Sequence, residues 1–165
     1  MENKKVYIVL GSNIGDKKGY IDKAYSYIED KIGFIRSKSS YYQTSPWGFD
    51  SDDEFLNRVI VVDCILKPNK IMYLLLEIEN ELGRVRDENK DGYQSRIIDL
   101  DILLIEDLII NNDLLVVPHP HMANRRFVLE PLSEIAGDFI HPVEQKSINH
   151  LLSICKDAEV AIKVF

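Results

Sequence analysis

The sequence predicts an α+β fold, in which a ferredoxin-like β-α-β-β-α-β antiparallel sheet carries a C-terminal helical extension. Strand-like and helix-like segments follow one another in that order over residues 1–105. Both helical segments carry a single apolar stripe, so we expect both to cover one face of the sheet. The chain has 165 residues and shows no repeat or linker, which predicts one domain spanning residues 1–165.

The first half of the sheet is predicted from short apolar runs and the turn residues between them. An apolar run over 5–11 predicts the first strand, and a Gly-Ser-Asn-Ile-Gly-Asp turn follows it. Apolar residues at helical spacing then predict a helix over 17–32. Two further strands are predicted over 34–43 and 55–65, separated by a polar loop from Thr44 to Glu54.

The rest of the chain is predicted in the same way. Pro68 fits the first turn of a second helix, whose apolar stripe ends at Gly83. A charged loop over 84–95 leads to a strand over 96–105, and Leu108 to Ile110 is predicted to fold back on that strand as a short hairpin across Glu106-Asp107. The last predicted elements are helices near 127–136 and 147–155, the second with Ser147 as its N-cap, and an edge strand over 160–164.

Composition and charge exclude several classes of protein. The net charge of −7 argues against a general nucleic-acid binder. No apolar run is long enough to span a bilayer and the chain opens on a strand-like segment, so we expect no membrane contact, no signal peptide and a cytoplasmic location. Cys64 and Cys155 lie in apolar segments without metal-type spacing, which predicts reduced thiols in the core.

The apolar strand over 96–105 carries two carboxylates, Asp99 and Asp101. Residues two apart on a strand share a face, so both carboxylates point the same way and Ile98, Leu100 and Ile102 point the other way. Two like charges on an apolar strand repel and lose hydration, unless a cation lies between them. A hard divalent ion such as Mg2+ is the simplest such cation. A surface strand with a solvated acidic edge is the alternative interpretation.

The arginines are gathered around this Asp pair. Of the seven arginines, five fall between residues 84 and 126: Arg84, Arg86, Arg96, Arg125 and Arg126. Because the planar guanidinium group suits phosphate oxygens, this clustering indicates a site for a small polyanion. Ion pairs with surface carboxylates are the alternative for some of the five.

Two further segments combine aromatic side chains with polar or charged side chains. One is the loop Thr44-Ser45-Pro46-Trp47-Gly48 with Phe55 and Asn57 after it, and the other runs from Pro118 through His119 and Arg125 to Phe127. A buried Asn needs partners, and its amide can read the edge of a heterocycle with a donor and an acceptor. The rings could sandwich a flat ligand or could simply pack in the core, and a lone His is often a turn residue bonded to backbone.

Together these segments resemble the 6-hydroxymethyl-7,8-dihydropterin pyrophosphokinase family. The resemblance covers essentially the whole chain and rests on motifs in the expected order: Gly11-Ser12-Asn13, Tyr42-x-Thr44-x-Pro46, Asn57 after an aromatic–Leu pair, Gly83-Arg84-Val85-Arg86, Arg96-x-x-Asp99-Leu100-Asp101, and Pro118-His119 through Asn124-Arg125-x-Phe127. The resemblance implies transfer of the β,γ-diphosphate of ATP to the hydroxymethyl group of a reduced pterin, with AMP as the other product, in folate biosynthesis.

The resemblance also implies a role for each matching residue. Two Mg2+ ions are expected on Asp99 and Asp101. The pterin is expected at Thr44, Trp47, Phe55, Asn57 and Phe127. ATP is expected at Arg84, Arg86, Arg96, His119 and Arg125, the first three being assigned to catalysis as well. The partners are thus ATP and a reduced pterin, without nucleic acid, and a monomer is favoured.

The charged loop departs from the family pattern. It carries Tyr93-Gln94-Ser95 where the family usually has Trp-Gly-Pro, and it is about two residues longer, so residues 87–94 receive no individual roles. Little apolar surface holds the loop to a core, whereas its arginines gain from bound phosphate, so we expect it to close over ATP and Mg2+ as a lid.

Two other functions compete with this one. Another metal-dependent nucleotidyl-transfer or cyclase-type domain could use the same Asp pair, but would have no use for Asn57 between two aromatic residues. A non-catalytic ligand-sensing or RNA-binding ferredoxin-like module is the second alternative. The net charge of −7 speaks against RNA binding.

Overall fold

A computed structural model of the protein describes residues 2–44, 54–84 and 96–165. The strands are β1 (Lys4–Ser12), β2 (Phe34–Lys38), β3 (Tyr41–Thr44), β4 (Phe55–Cys64), β5 (Asp99–Ile105), β6 (Ile110–Asn111), β7 (Val116–Val117) and β8 (Ile162–Val164). The helices are α1 (Lys17–Lys31), α2 (Pro68–Glu81), α3 (Arg126–Ala136) and α4 (Ile148–Ser153), with a short 3-10 helix at Met122–Asn124. The predicted mixed fold with an antiparallel sheet is confirmed.

The main sheet runs in the order β5-β1-β4-β3-β8, and β2 also pairs with β4. Every one of these pairings is antiparallel. The central strands β1 and β4 are paired over their whole lengths, from Lys4 opposite Cys64 to Ser12 opposite Leu56. Such long apolar central strands are buried on both faces, so the sheet separates two cores.

The two cores are built by alternate residues of the same strands. On one face, Val6, Ile8 and Leu10 of β1 pack with the apolar stripes of α1 and α2. On the other face, Tyr7 and Val9 pack with α3 and α4. Both α1 and α2 therefore cover one face, as their stripes predicted, and the later helices cover the opposite face.

The predicted strand over 34–43 is two shorter strands, β2 and β3, because the chain breaks at Ser39 and Ser40. There the Ser39 hydroxyl accepts a hydrogen bond from the Val59 amide (3.0 Å), while the Ser39 amide donates to the Val59 carbonyl (2.8 Å). A side chain thus takes the place of a backbone partner in the ladder. Both halves still pair with β4, so the sheet continues past the break.

The hairpin predicted for Leu108 to Ile110 across Glu106-Asp107 is wrong. Glu106 turns the chain with a φ of 47°, and the Leu108 amide donates to the Ile105 carbonyl (3.0 Å), which closes a tight turn. Strand β6 then pairs with β7 instead of returning along β5. The Asn112 side chain holds that second turn by accepting from the Leu114 and Leu115 amides, both at 2.9 Å.

The C-terminal elements lie close to their predicted ranges. The Ser147 hydroxyl accepts from the His150 amide (3.1 Å) at the start of α4, which confirms the predicted N-cap. Strand β8 adds to the sheet beside β3, with Ile162 opposite Gln43. Among the helices of the described ranges, none combines the length and the apolar character that crossing a bilayer requires.

Candidate active site

A pocket of about 290 Å³ opens on the face of the sheet that α3 covers. It is lined by Val9, Gly11, Thr44, Phe55, Asn57, Arg96, Asp99, Asp101, Leu103, His119, Arg125, Phe127, Val128 and Glu159. The size suits a small ligand, since ligand pockets start at about 300 Å³. Nine of the twelve predicted site residues line this one pocket.

The remaining three predicted residues are placed differently. Arg84 reaches the site through its ion pair with Asp99. Trp47 and Arg86 lie outside the described residues, and so does most of the loop predicted to act as a lid. Their roles stay predictions.

The two carboxylates share the pocket face of β5, as predicted from strand alternation. Asp99 lies opposite Gly11 of β1 and Asp101 lies opposite Val9. Ile98, Leu100 and Ile102 are buried in the core under α1 and α2. The strand is buried on one face and lines a pocket on the other, which argues against the alternative of a solvated acidic edge.

Asp99 is held by two arginines. The Arg84 guanidinium lies 3.0 Å from one carboxylate oxygen, and the Arg96 guanidinium lies 3.2 Å from the other. The Arg84 side chain is only 10% exposed, so its charge is poorly screened by water. The arginines compensate the charge of Asp99 and bring two phosphate-binding groups to the edge of the pocket.

Among the described residues, no arginine forms such an ion pair with Asp101. Burial raises the pKa of the Asp101 carboxyl to about 7, and the negative charges of Asp99 and Glu79 add to the effect. Arg84 and Arg96 act in the opposite direction but do not cancel it. A cation placed between the two carboxylates would relieve this excess of negative charge.

Glu79 is a site residue that the sequence interpretation missed. It is 2% exposed and lies at the end of α2. Its carboxylate accepts from the Leu100 amide (2.7 Å) and pairs with Arg84 (3.0 Å). The signal was present, because position 79 falls four residues after Leu75, on the core side of the helix, where an acid is unexpected.

We expect Glu79→Ala to lower the free energy of unfolding by about 2 kcal/mol, because the substitution leaves the Leu100 amide without its partner and weakens the hold on Arg84. Urea denaturation followed by circular dichroism measures this change. The exposed Glu29→Ala substitution is the matched control and should leave the midpoint unchanged. Equal midpoints for the two variants would contradict the role of Glu79.

The Gly11-Ser12-Asn13 segment, which ends β1, fixes the position of Arg96. The Asn13 side-chain oxygen accepts from the Arg96 amide (2.6 Å), and the Asn13 amide donates to the Arg96 carbonyl (3.1 Å). Asn13 is 1% exposed, so this clamp is shielded from competing water. The matched motif thus has a physical purpose, which is to hold the backbone just before the Asp strand.

Asn57 lies on β4 between the apolar floor and the pocket. It is 4% exposed, and its side-chain nitrogen Nδ2 has no hydrogen-bond partner within the described parts of the chain. Burying an amide donor without a partner costs free energy, so the arrangement favours a ligand that accepts a hydrogen bond there. Phe55 lies two residues before Asn57 on the same face, as predicted.

Gly11 makes room for this amide. A Cβ atom at position 11 would lie 2.6 Å from Oδ1 of Asn57, closer than van der Waals contact permits. Glycine at this position therefore allows the Asn57 side chain to lie against the backbone of β1.

We expect Gly11→Ala to weaken binding of a ring ligand at Asn57 by at least tenfold, about the value of one hydrogen bond to a buried amide, because the methyl group displaces Oδ1. Titration calorimetry with 6-hydroxymethylpterin measures the effect. A nucleotide titration serves as the internal control and should change little. Unchanged pterin affinity would show that Asn57 does not depend on this close approach.

The aromatic rings of the pocket each have a cation near them. The Arg96 guanidinium lies 5.9 Å from the centre of the Phe55 ring, and the Arg125 guanidinium lies 5.6 Å from that of Phe127. Both distances are within the range of a cation–π contact. Each ring therefore packs beside a group suited to phosphate, which links the apolar and the charged parts of the pocket.

His119 enters the pocket from the turn after β7. Its amide donates to the carbonyl of Leu103 (2.9 Å), next to an irregularity in the pairing of β5 with β1. Burial, followed by the charge of Arg125, lowers the pKa of His119 to about 4. Its Nδ1 accepts from the His121 amide (3.2 Å), so the neutral ring carries its proton on Nε2 and can donate from there.

The chemistry of the donors fits a hard divalent cation. Asp99 and Asp101 supply carboxylate oxygens, the ligand type that Mg2+ prefers. The described residues contain no group of three or more His, Cys, Asp or Glu that could hold a metal ion. A metal ion here would therefore complete its shell with water and substrate phosphates, as Mg2+ commonly does.

A pocket that combines paired carboxylates, arginines and aromatic rings on this α+β fold is typical of an enzyme. A family model described as 7,8-dihydro-6-hydroxymethylpterin-pyrophosphokinase (HPPK) matches residues 7–137. The chain belongs to this family, as its motifs indicated.

Curated relatives agree with this assignment. A 2-amino-4-hydroxy-6-hydroxymethyldihydropteridine pyrophosphokinase from Porphyromonas gingivalis is 40% identical over 138 residues, which is 83% of this chain and 93% of the relative. The protein of the same description from Bacillus subtilis is 41% identical over 134 residues, which is 81% of this chain and 78% of the relative.

Solved structures support the fold alone. The crystal structure of wild-type HPPK-DHPS from Plasmodium falciparum matches with a TM-score of 0.74 and 16% identity, over 92% of this chain and 44% of that chain. The present chain thus spans less than half the length of that protein.

Proposed function

We propose that this chain transfers the diphosphate group of ATP to 6-hydroxymethyl-7,8-dihydropterin, giving AMP and the pterin diphosphate ester, with two Mg2+ ions. One observation carries the proposal: the carboxylate pair and the unpartnered amide of Asn57 line the same pocket. A metal–phosphate site and a heterocycle site in one cavity are what a transfer between these two substrates requires.

The residues divide into a ring site and a phosphate site. At the ring site, Asn57 and Thr44 bind the edge of the pterin while Phe55 and Phe127 pack on its faces. At the phosphate site, the cationic and imidazole groups bind ATP: Arg84, Arg86, Arg96, His119 and Arg125. Asp99 and Asp101 hold the metal between the two sites.

The protein contributes position and charge to the transfer. The hydroxymethyl oxygen must approach the β-phosphorus of ATP in line with the bond to the leaving AMP, and fixed donors keep both substrates aligned. Bound Mg2+ supplies neutralisation of the phosphate charge. Arg84 and Arg96 share that task, since both guanidinium groups already lie at Asp99. The neutral His119 can donate one hydrogen bond from Nε2 without a change of protonation.

The predictions on fold topology, domain organisation, the lid, location and oligomeric state belong to the same proposal. The strand order β5-β1-β4-β3 is that of the ferredoxin-like fold, which supports this fold for residues 1–105 as part of one domain. The lid over ATP, the cytoplasmic location and the monomeric state stay predictions.

A coupled assay for AMP release tests the proposed function. The purified chain is incubated with ATP, Mg2+ and 6-hydroxymethyl-7,8-dihydropterin, and AMP is measured with and without the pterin. We expect AMP to form only when both substrates and the metal are present, together with the pterin diphosphate ester. Formation of ADP, or AMP formation that does not need the pterin, would reject the proposal.

A further inference from the structure

The C-terminal tail, residues 155–161, passes along the rim of the pocket between α4 and β8. Arg126 holds it there. The Arg126 amide donates to a carboxylate oxygen of Asp157 (3.0 Å), and its guanidinium donates to the carbonyls of Asp157 (2.9 Å) and Cys155 (3.2 Å). Arg126 directly follows Arg125 and precedes Phe127, so the tail is tied to the element that lines the pocket.

Glu159 is the tail residue that lines the pocket. Its amide donates to the other carboxylate oxygen of Asp157 (3.0 Å), which orders the backbone just before it. The family model ends at residue 137, so this carboxylate comes from a part of the chain that the family match does not reach.

The order of the strands gives the pocket a direction. Its lining residues are spread across the strands: the Asp pair lies on β5, Gly11 on β1, Asn57 on β4 and Thr44 on β3, and Glu159 lies on the tail that leads to β8 beside β3. Neighbouring strands lie about 4.8 Å apart, so β5 and β3 are separated by roughly 14 Å. An elongated ligand can therefore lie across the strands with one end at the Asp pair and the other end at the tail.

The proposed function orients that ligand. The hydroxymethyl group must point towards the Asp pair, where phosphate and metal meet, so the amino-pyrimidinone edge on the opposite side of the pterin points towards β3 and the tail. That edge presents two neighbouring N–H donors, from the ring nitrogen and the exocyclic amino group, beside a carbonyl acceptor. A carboxylate accepts two such donors, and an amide N–H such as Asn57 Nδ2 suits the acceptor.

Resting on the proposed function, we propose that Glu159 is a specificity-determining residue, whose carboxylate accepts hydrogen bonds from the amino-pyrimidinone edge of the pterin. Burial raises the pKa of Glu159, and the charge of Asp157 adds to this effect, so its carboxylate gains from a donor that arrives with the ligand. Glu159 on the tail then favours ligands that carry the exocyclic amino group, while Asn57 favours ligands with a hydrogen-bond acceptor on the ring edge.

The test compares two ligands that differ at one group. Isothermal calorimetry, with a non-hydrolysable ATP analogue and Mg2+ present, measures binding of 6-hydroxymethylpterin and of its 2-oxo analogue 6-hydroxymethyllumazine, in which the amino group is replaced by a carbonyl. We expect the wild-type protein to prefer the pterin, and Glu159→Gln to lose about tenfold in pterin affinity, the value of one charged hydrogen bond. The preference over lumazine should shrink by the same factor.

Two variants separate this role from general effects. The exposed Glu144→Gln removes the same charge elsewhere and should change nothing. Arg126→Ala frees the tail and should weaken pterin binding in the wild-type background but not in the Glu159→Gln background, since the two act through one contact.

Three results would overturn the inference. Equal pterin affinity in Glu159→Gln and wild type would reject contact with the ligand. An unchanged pterin-to-lumazine ratio would reject selection for the amino group. An equal loss of affinity for the ATP analogue would assign Glu159 to the charge balance around Arg125 instead. If the wild-type protein bound neither pterin nor lumazine, the proposed function itself would fail together with the inference.

Discussion

Asp99→Ala and Asp101→Ala are each expected to reduce AMP formation by about a thousandfold or more while the fold stays intact. Both carboxylates lie on the pocket face of β5, and Asp101 has no arginine in contact among the ion pairs of the described residues. In the proposed metal site, loss of either one removes one of two carboxylate ligands, and the described residues contain no group of three or more such ligands. The rate of AMP release at saturating ATP and pterin measures the effect.

Replacement of Asp101 should raise the stability of the metal-free protein although it abolishes activity. Since burial and the charges of Asp99 and Glu79 raise the pKa of Asp101 to about 7, the folded protein takes up a proton at a pH where the unfolded chain does not. The stability of the metal-free wild type therefore falls as pH rises towards 7. Asp101→Asn removes this penalty, so its gain in Tm should be larger at pH 8 than at pH 5.

The exposed Asp113→Asn substitution is the control for both measurements. It should leave activity and Tm as in the wild type. An Asp99 or Asp101 variant that forms AMP at a near wild-type rate would reject the metal assignment. A lower Tm for Asp101→Asn at pH 8 would show that the wild-type carboxylate is stabilised by a partner.

Asn57→Ala is expected to weaken pterin binding by about 1–3 kcal/mol, roughly 5- to 150-fold, and to leave ATP binding nearly unchanged. The Asn57 side chain is buried and its Nδ2 is unpartnered within the described residues, so in the free protein the variant loses no hydrogen bond donated by this nitrogen. The loss of affinity arises when the pterin binds, because the acceptor on its ring edge then has no hydrogen-bond donor in the closed pocket.

Calorimetry with each ligand separately decides the Asn57 prediction. The exposed Asn111→Ala is the matched control, because it removes the same amide from β6, at a position that does not line the pocket. Equal losses for pterin and nucleotide would point to a general distortion of β4. Unchanged pterin affinity would reject a hydrogen bond between Asn57 and the pterin ring.

The sequence predicted the site best where local periodicity determines direction. Alternation on a strand is enough to place Asp99 and Asp101 on one face and Phe55 beside Asn57. Local periodicity could not predict contacts between segments that are distant in the sequence. Glu79 and Leu100 meet because α2 packs under β5, and Glu159 enters the pocket because Arg126 holds the tail. The spacing of residues shows that Glu79 falls on the core side of α2, but it does not show that Leu100 is its partner, and it gives no sign of the position of Glu159.

The same distinction explains the errors in the fold. The break between β2 and β3 depends on Ser39 bonding across to Val59, and serine in a strand-like run gives no warning of it. The hairpin after β5 was wrong because its apolar run was read as a partner for β5, whereas β6 finds its partner in β7. In both cases tertiary pairing decided what local composition left open.

The close approach of Gly11 to Asn57 has a consequence for inhibitors of this enzyme. Oδ1 of Asn57 lies where a Cβ atom of residue 11 would be, and Nδ2 of the same amide is buried without a partner among the described residues. A compound that presents an acceptor to Nδ2 would pair with this free donor, whereas a compound that presents its own N–H would meet a second donor. A substitution at Gly11 that weakens such an inhibitor would also weaken substrate binding. Resistance to compounds that rely on this contact should therefore be difficult to acquire by substitution at Gly11.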